Sequence, residues 1–139
     1  MGRIIAIDYG TKRVGLAVTD PEQIIATPLQ TVHSMDVMAF LRDYTARENV
    51  ECFVVGEPRK LDNTASSVTP QVEAFVRELK RTFPGIPVER IDERFTSQMA
   101  SQTLIMAGVK KMDRRKKELV DQVSAVIILQ SYMEARKNK

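Results

Sequence analysis

A mixed α/β sheet with helices on both faces is the architecture predicted by the 139-residue sequence. Two β-rich segments flank a Gly-Thr-Lys-Arg turn at the start of the chain, and a third follows near residue 24. From there, segments of helical and extended apolar periodicity alternate to the end. Three antiparallel strands followed by alternating helices and strands imply that strands four and five run parallel to strand one.

Arg3 to Tyr9 and Val14 to Thr19 are the hairpin strands, and Ile24 to Val32 is the third. Ser34 is placed to cap a helix from about Asp36 to Glu48, where Val37, Phe40, Leu41 and Tyr44 recur at helical spacing. Glu51 to Gly56 reads as strand four, and EPRKLDNTASS after it as a polar loop. Thr69 and Pro70 mark the next helix at its cap and first turn. Its buried stripe is Val68, Val72, Phe75, Val76, Leu79 and Phe83, facing away from Arg77, Lys80 and Arg81. Phe83, Pro84 and Gly85 break it, and Pro87 to Ile91 form a fifth strand ending at the acidic pair Asp92 and Glu93. A helix capped by Thr96 runs to about Ala107 and stops at Gly108, and a last helix spans roughly Glu118 to Arg136. The expected order is βββαβαβαα.

The length suits one domain, residues 1–139, built around a single core. With 43% hydrophobic and 28% charged residues and no apolar window near ~18 residues, the composition is that of a soluble protein without a membrane span. The opening IIAIDYG is interrupted by an acid and lacks a small-residue cleavage site, so no signal peptide is expected. The one cysteine, Cys52, permits no intramolecular disulfide and reads as a buried strand thiol, consistent with the cytoplasm. Net charge is only +3, yet residues 110–117, KKMDRRKK, carry six positive side chains in eight positions. Lys110, Lys111, Arg114 and Arg115 in this basic loop are candidates for phosphate contact; DNA, RNA and an acidic protein surface remain open as partners.

Asp8 lies inside an apolar strand, where an uncompensated carboxylate costs several kcal/mol. A metal ion, a cation or water must offset its charge. Asp121 is placed in the first turn of a helix apolar nearly all round, where an acid either faces the helix dipole or points into the protein. Glu93 ends strand five. Parallel strands present their carboxyl ends on one side, so the three acids can converge. Converging carboxylates repel, and a hard divalent cation bound through oxygen is the usual remedy. With one histidine and one buried cysteine, Mg2+ or Mn2+ is favoured over zinc. Two such ions about 4 Å apart can activate water and stabilise the leaving oxygen in phosphodiester cleavage. His33, in a strand-to-helix loop, reads as a surface residue.

IDYGTKRVGLAVTD, VGEP near strand four, DERFTS at residues 92–97 and DQVSAVIILQSY at residues 121–132 closely resemble the YqgF family, also described as Holliday junction resolvases. The match covers nearly the whole chain in the correct order. The resemblance implies an RNase H-like fold and a metal-dependent nuclease in which Asp8, Glu93 and Asp121 match the proposed catalytic, metal-binding acids. It also implies maturation of the 5′ end of 16S ribosomal RNA, with pre-16S rRNA and ribosomal particles as partners. Resolution of branched DNA is the older proposal for the family. A symmetric junction would call for two active sites, so both monomer and homodimer stay open.

This chain departs from many members in reading VGEPRKLDNTAS after strand four, which puts Glu57 at that strand's carboxyl end. Glu57 is therefore a candidate outer-shell or additional metal ligand, its plain alternative being a solvent-facing loop acid. Lys12, Arg13 and Arg94 flank the acids as substrate-binding candidates. Arg13 or Arg94 could grip a scissile phosphate by paired hydrogen bonds, the alternative being a salt bridge to a neighbouring acid. Thr11 and the amides of the turn could also meet phosphate oxygens.

Two other classes compete. Actin-like ATPases and sugar kinases share the opening strand and Asp-x-Gly-Thr turn, but they close two such domains over the nucleotide. A basic RNA-binding assembly factor that cleaves nothing would keep the fold without needing all three acids.

Overall fold

The computed structural model describes residues 2–57, 69–92 and 114–137. Among them, β1 (Arg3–Tyr9), β2 (Arg13–Thr19), β3 (Ala26–His33), β4 (Val50–Glu57) and β5 (Val88–Asp92) form one sheet in the order β3-β2-β1-β4-β5. β1 pairs antiparallel with β2, and β2 with β3, while β1–β4 and β4–β5 are parallel. The expected direction of every strand holds. Helices α1 (Val37–Arg47) and α2 (Thr69–Thr82) supply the crossovers, and α3 (Arg114–Lys137) is the last described element. The helix expected over residues 96–107 lies outside the described residues.

The two faces of the sheet bury different kinds of side chain, because alternation sends successive residues to opposite sides. Ile5, Ile7, Val14, Leu16, Val18, Phe53 and Val55 face α1 and α2, meeting Val37, Leu41 and Tyr44 of the first and Val72, Phe75, Val76 and Leu79 of the second. The stripe read from the α2 sequence is thus the buried one from Val72 to Leu79, with Phe83 packed at its end, while Val68 lies outside the described residues. On the other face Ile4, Ala6, Ala17, Cys52 and Val54 receive Ala125, Ile128 and Leu129 of α3. Small residues dominate this second face. The smaller the side chains between a helix and a sheet, the closer the two backbones come.

Local chemistry accounts for the connections. Asp20 Oδ1 accepts the amides of Ile24 (2.7 Å) and Ile25 (2.8 Å), shaping the β2–β3 turn. These amide hydrogen bonds, Ile25 foremost, hold the Asp20 carboxyl below its ordinary pKa despite an opposing desolvation effect. In the same turn Gln23 takes a left-handed φ of 60°. Its amide nitrogen donates to the Gly2 carbonyl and to Glu51, and its oxygen accepts from Arg136 Nη1 at 3.0 Å. Thr19, fully buried, accepts the Ile4 N–H on Oγ1 at 2.9 Å, a side chain standing in for a ladder bond.

Most strand ends fall within a residue or two of the sequence reading, and three differences have a physical reason. Ser34 does not cap α1; the N-cap is Asp36, without a side-chain cap bond, and Ser34 Oγ instead donates to the Thr11 carbonyl at 2.6 Å. His33 closes β3 and is exposed, its Nδ1 accepting the Met35 amide at 3.0 Å. The last helix starts at Arg114, not near Glu118, so Arg-Arg-Lys-Lys is its first turn rather than part of a loop. Arg and Lys are good helix formers, and their charge had masked that propensity.

Candidate acidic site

Asp8 sits near the carboxyl end of β1 with its neighbour in register, Gly15 of β2, directly across the ladder. On the other side Ile7 pairs with Val55, and the next residue of β4 is Gly56. Asp8 is therefore flanked on both adjacent strands by residues without side chains. Alternation from Ile4 and Ala6 places it on the α3 face, and it is half-buried.

Gly15 explains how Asp121 reaches this place. A Cβ built on Gly15 would collide with the Asp121 carbonyl oxygen, lie 2.5 Å from its carbonyl carbon and 3.0 Å from its Cβ. The helix backbone thus occupies the space a β2 side chain would fill. Directly opposed residues on antiparallel strands share a face, with Cβ positions about 5 Å apart. The Cβ atoms of Asp8 and Asp121 are consequently no more than about 8 Å apart, within the span of one cation. Asp121 is the eighth residue of α3, well past the first turn, so helix-dipole stabilisation does not account for it. It points inward.

Arg13, two residues before Gly15 on the same face of β2, donates Nε–H to Asp121 Oδ2 at 2.7 Å. The arginine side chain is 44% exposed and the aspartate 19%. Of the two roles open to Arg13, the ion pair to a neighbouring acid is the one seen. Gln122, beside Asp121, donates to Thr31 Oγ1 of β3 at 3.2 Å, fixing the rotation of α3 over β2 and β3. One turn on, Ser124 is 1% exposed and its hydroxyl has no partner among the described residues. Lys12 is exposed in the turn beside the site, and so is Thr11, whose carbonyl is held by Ser34.

Several expected residues are not placed. Glu93, Arg94, Lys110 and Lys111 lie outside the described residues, and for Arg114, Arg115 and Glu57 only the backbone is described. Glu57 closes β4 in register with Asp92. Among the described residues no three His, Cys, Asp or Glu side chains cluster to hold a metal. The two acids brought to this face, Asp8 and Asp121, offer hard carboxylate oxygens, a donor type that suits Mg2+ or Mn2+. His33 is engaged at the end of β3, and Cys52 is buried with its thiol 3.9 Å from the Tyr132 hydroxyl. Burial pushes the Cys52 thiol up, away from the thiolate a soft metal would require.

The sequence reading passed over Gly15 and Gly56. The available signal was a glycine within an apolar strand, which marks close approach by another backbone.

A family model described as "RuvX: Holliday junction resolvase" matches residues 2–135. A Porphyromonas gingivalis relative named "Putative pre-16S rRNA nuclease" is 54% identical over 134 residues, covering 96% of this chain and 97% of its own. A Bacteroides thetaiotaomicron relative of the same name is 50% identical over 137 residues, covering 99% of each. Among solved structures, T. thermophilus RuvC in complex with a Holliday junction substrate aligns with a TM-score of 0.58 at 17% identity, covering 100% of this chain and 98% of that one. The fowlpox virus resolvase in complex with its junction DNA aligns with a TM-score of 0.60 at 15% identity, covering 96% and 98%. At such identities the likeness is one of fold, and the fold is the RNase H-like resolvase architecture. No described helix is long and apolar enough to cross a membrane.

Proposed function

The chain belongs to the RuvX family, and on that premise we propose that it is a metal-dependent nuclease hydrolysing phosphodiester bonds in the 5′-extended precursor of 16S ribosomal RNA. One observation carries the reading: the missing Gly15 side chain brings Asp121 of α3 over the position opposite Asp8. Two carboxylates drawn together on one sheet face repel each other, and a hard divalent cation bound through oxygen is the usual remedy. They make sense as ligands.

In this reading Asp8 and Asp121 hold Mg2+ or Mn2+, with Glu93 as the third carboxylate and Glu57 as an outer contributor. Two ions, when bound, would lower the pKa of a water and offset charge on the leaving oxygen. The chain's own residues bring in the substrate. The first turn of α3 reads Arg-Arg-Lys-Lys, so the positive end of the helix dipole coincides with four cationic residues and no acid. That pole lies seven residues, about 10 Å of helix, before Asp121. A phosphate backbone drawn to it runs past the carboxylates. Lys12, and Arg94 beside Glu93, supply further contacts of the same kind, as do Lys110 and Lys111.

The test incubates a 5′-extended 16S precursor, and separately a four-way DNA junction, with the protein and Mg2+ or Mn2+. Wild type is expected to shorten the precursor, while Asp8→Asn and Asp121→Asn do not. Equal products from all three proteins would expose contamination and sink the reading. Cleavage confined to the junction would assign resolution of branched DNA instead. Sedimentation with and without each substrate then reads stoichiometry, because symmetric resolution calls for two copies at one junction.

A further inference from the structure

We propose that Arg13 is an exchangeable counter-charge for Asp121: a positioning residue that a divalent cation displaces and that then turns to the substrate phosphate. The proposal rests on Asp121 being a metal ligand. Arg13 Nε holds Asp121 Oδ2 at 2.7 Å, so the guanidinium and a cation bound there would draw on the same carboxylate. The contact is well formed, yet the arginine is 44% exposed. Exposed ion pairs are individually weak, typically within a factor of about five in an equilibrium constant. A contact of that strength steadies the Asp121 carboxylate beside Gly15, and a dication, with twice the charge, overcomes it.

The exchange has a direction. Beside a bound cation the Arg13 guanidinium meets like charge where it had met an acid. Its backbone is the first residue of β2, next to exposed Thr11 and Lys12 in the turn, and its half-exposed side chain has solvent to swing into. The planar fork suits a phosphodiester at that position. Metal and substrate binding are thereby linked: the cation releases the arginine, and an arginine engaged with phosphate no longer competes for Asp121.

The experiment titrates MnCl2 alone into the full-length protein by calorimetry, comparing wild type, Arg13→Met and Arg13→Lys, with melting curves showing that each is folded. Arg13→Met is expected to bind Mn2+ about two- to fivefold more tightly than wild type. Arg13→Lys, which keeps the charge but loses the fork, is expected to fall between them. In cleavage assays Arg13→Met should raise KM for the precursor, as a lost phosphate contact does. Unchanged or weaker Mn2+ binding by Arg13→Met overturns the proposal while leaving the metal site standing, because Arg13 would then support the ligand rather than compete with the ion. A lysine variant identical to wild type beside a tighter methionine variant also overturns it, assigning the effect to charge repulsion alone. Failure of all three proteins to bind Mn2+ overturns the metal site itself, and this proposal with it.

Discussion

Replacing Gly15 by alanine isolates the contact on which the acidic site depends. The added methyl would lie 2.5 Å from the Asp121 carbonyl carbon and closer still to its oxygen, where unbonded carbons need about 3.5 Å. Something must move by about 1 Å. The strand is held by ladders on both sides, so α3 is the part that lifts. Overpacking of this kind costs about 1–3 kcal/mol. Exchanging a strand glycine for alanine returns roughly 0.5–1 kcal/mol through reduced backbone entropy, leaving a net loss of up to about 2.5 kcal/mol. The larger effect is on chemistry, since lifting α3 carries Asp121 away from Asp8. A misplacement of about 1 Å is sufficient for a loss of roughly a hundredfold in rate. Urea denaturation and Mn2+-dependent cleavage of the 16S precursor measure the two effects separately. Gly85→Ala is the control, because its added Cβ would meet nothing within 4 Å. Gly15→Ala with wild-type stability and wild-type cleavage would refute the placement of α3 over β2, and with it the geometry of the site.

Further substitutions probe other parts of the molecule. Thr19→Val leaves the Ile4 amide without its acceptor and should lower stability by about 1–3 kcal/mol in urea, whereas Thr19→Ser should recover most of it. Burial, with the neighbouring Cys52, pushes the Tyr132 hydroxyl from 10.0 up to about 12. Between pH 10 and about 12 the unfolded chain therefore releases this proton while the folded one retains it, and stability falls as pH rises. Tyr132→Phe should flatten that fall in alkaline denaturation curves, leaving the part due to Tyr44 and Cys52, whose pKa values are also raised by burial. Neutralising Lys110, Lys111, Arg114 and Arg115 together should weaken binding to a single-stranded precursor. It should also reduce the slope of log K against log salt by up to about 3, at roughly 0.7 per phosphate contact. An unchanged slope would remove the basic segment from the interface.

The sheet was legible in the sequence because β-branched runs and punctuating turns are local signals. Asp8 was legible because a carboxylate in an apolar strand is an energetic anomaly wherever it occurs. What the sequence did not disclose was non-local. Arg13 and Asp121 are 108 positions apart, and only the seating of α3 across β2 makes them partners. Each alone had two readings. The start of α3 is obscured for a different reason: four consecutive cations suggest a solvated loop, although their side chains are compatible with a helix. Ser34 reads as a cap because serine commonly is one. In the fold the Thr11 carbonyl offers it a better partner than the helix does.

Gln23, at the far end of the sheet, has a bearing on the acids it never touches. It fastens the chain start, the beginning of β4 and, through Arg136, the tail of α3. Fifteen residues of helix, about 22 Å, separate Arg136 from Asp121. A helix seated along its length on a sheet behaves as a rod, so a shift at one end is transmitted to the other. The β2–β3 turn is in this sense a set-screw for the Asp121 end of α3, and substitutions there can tune the spacing of Asp8 and Asp121 without altering either acid.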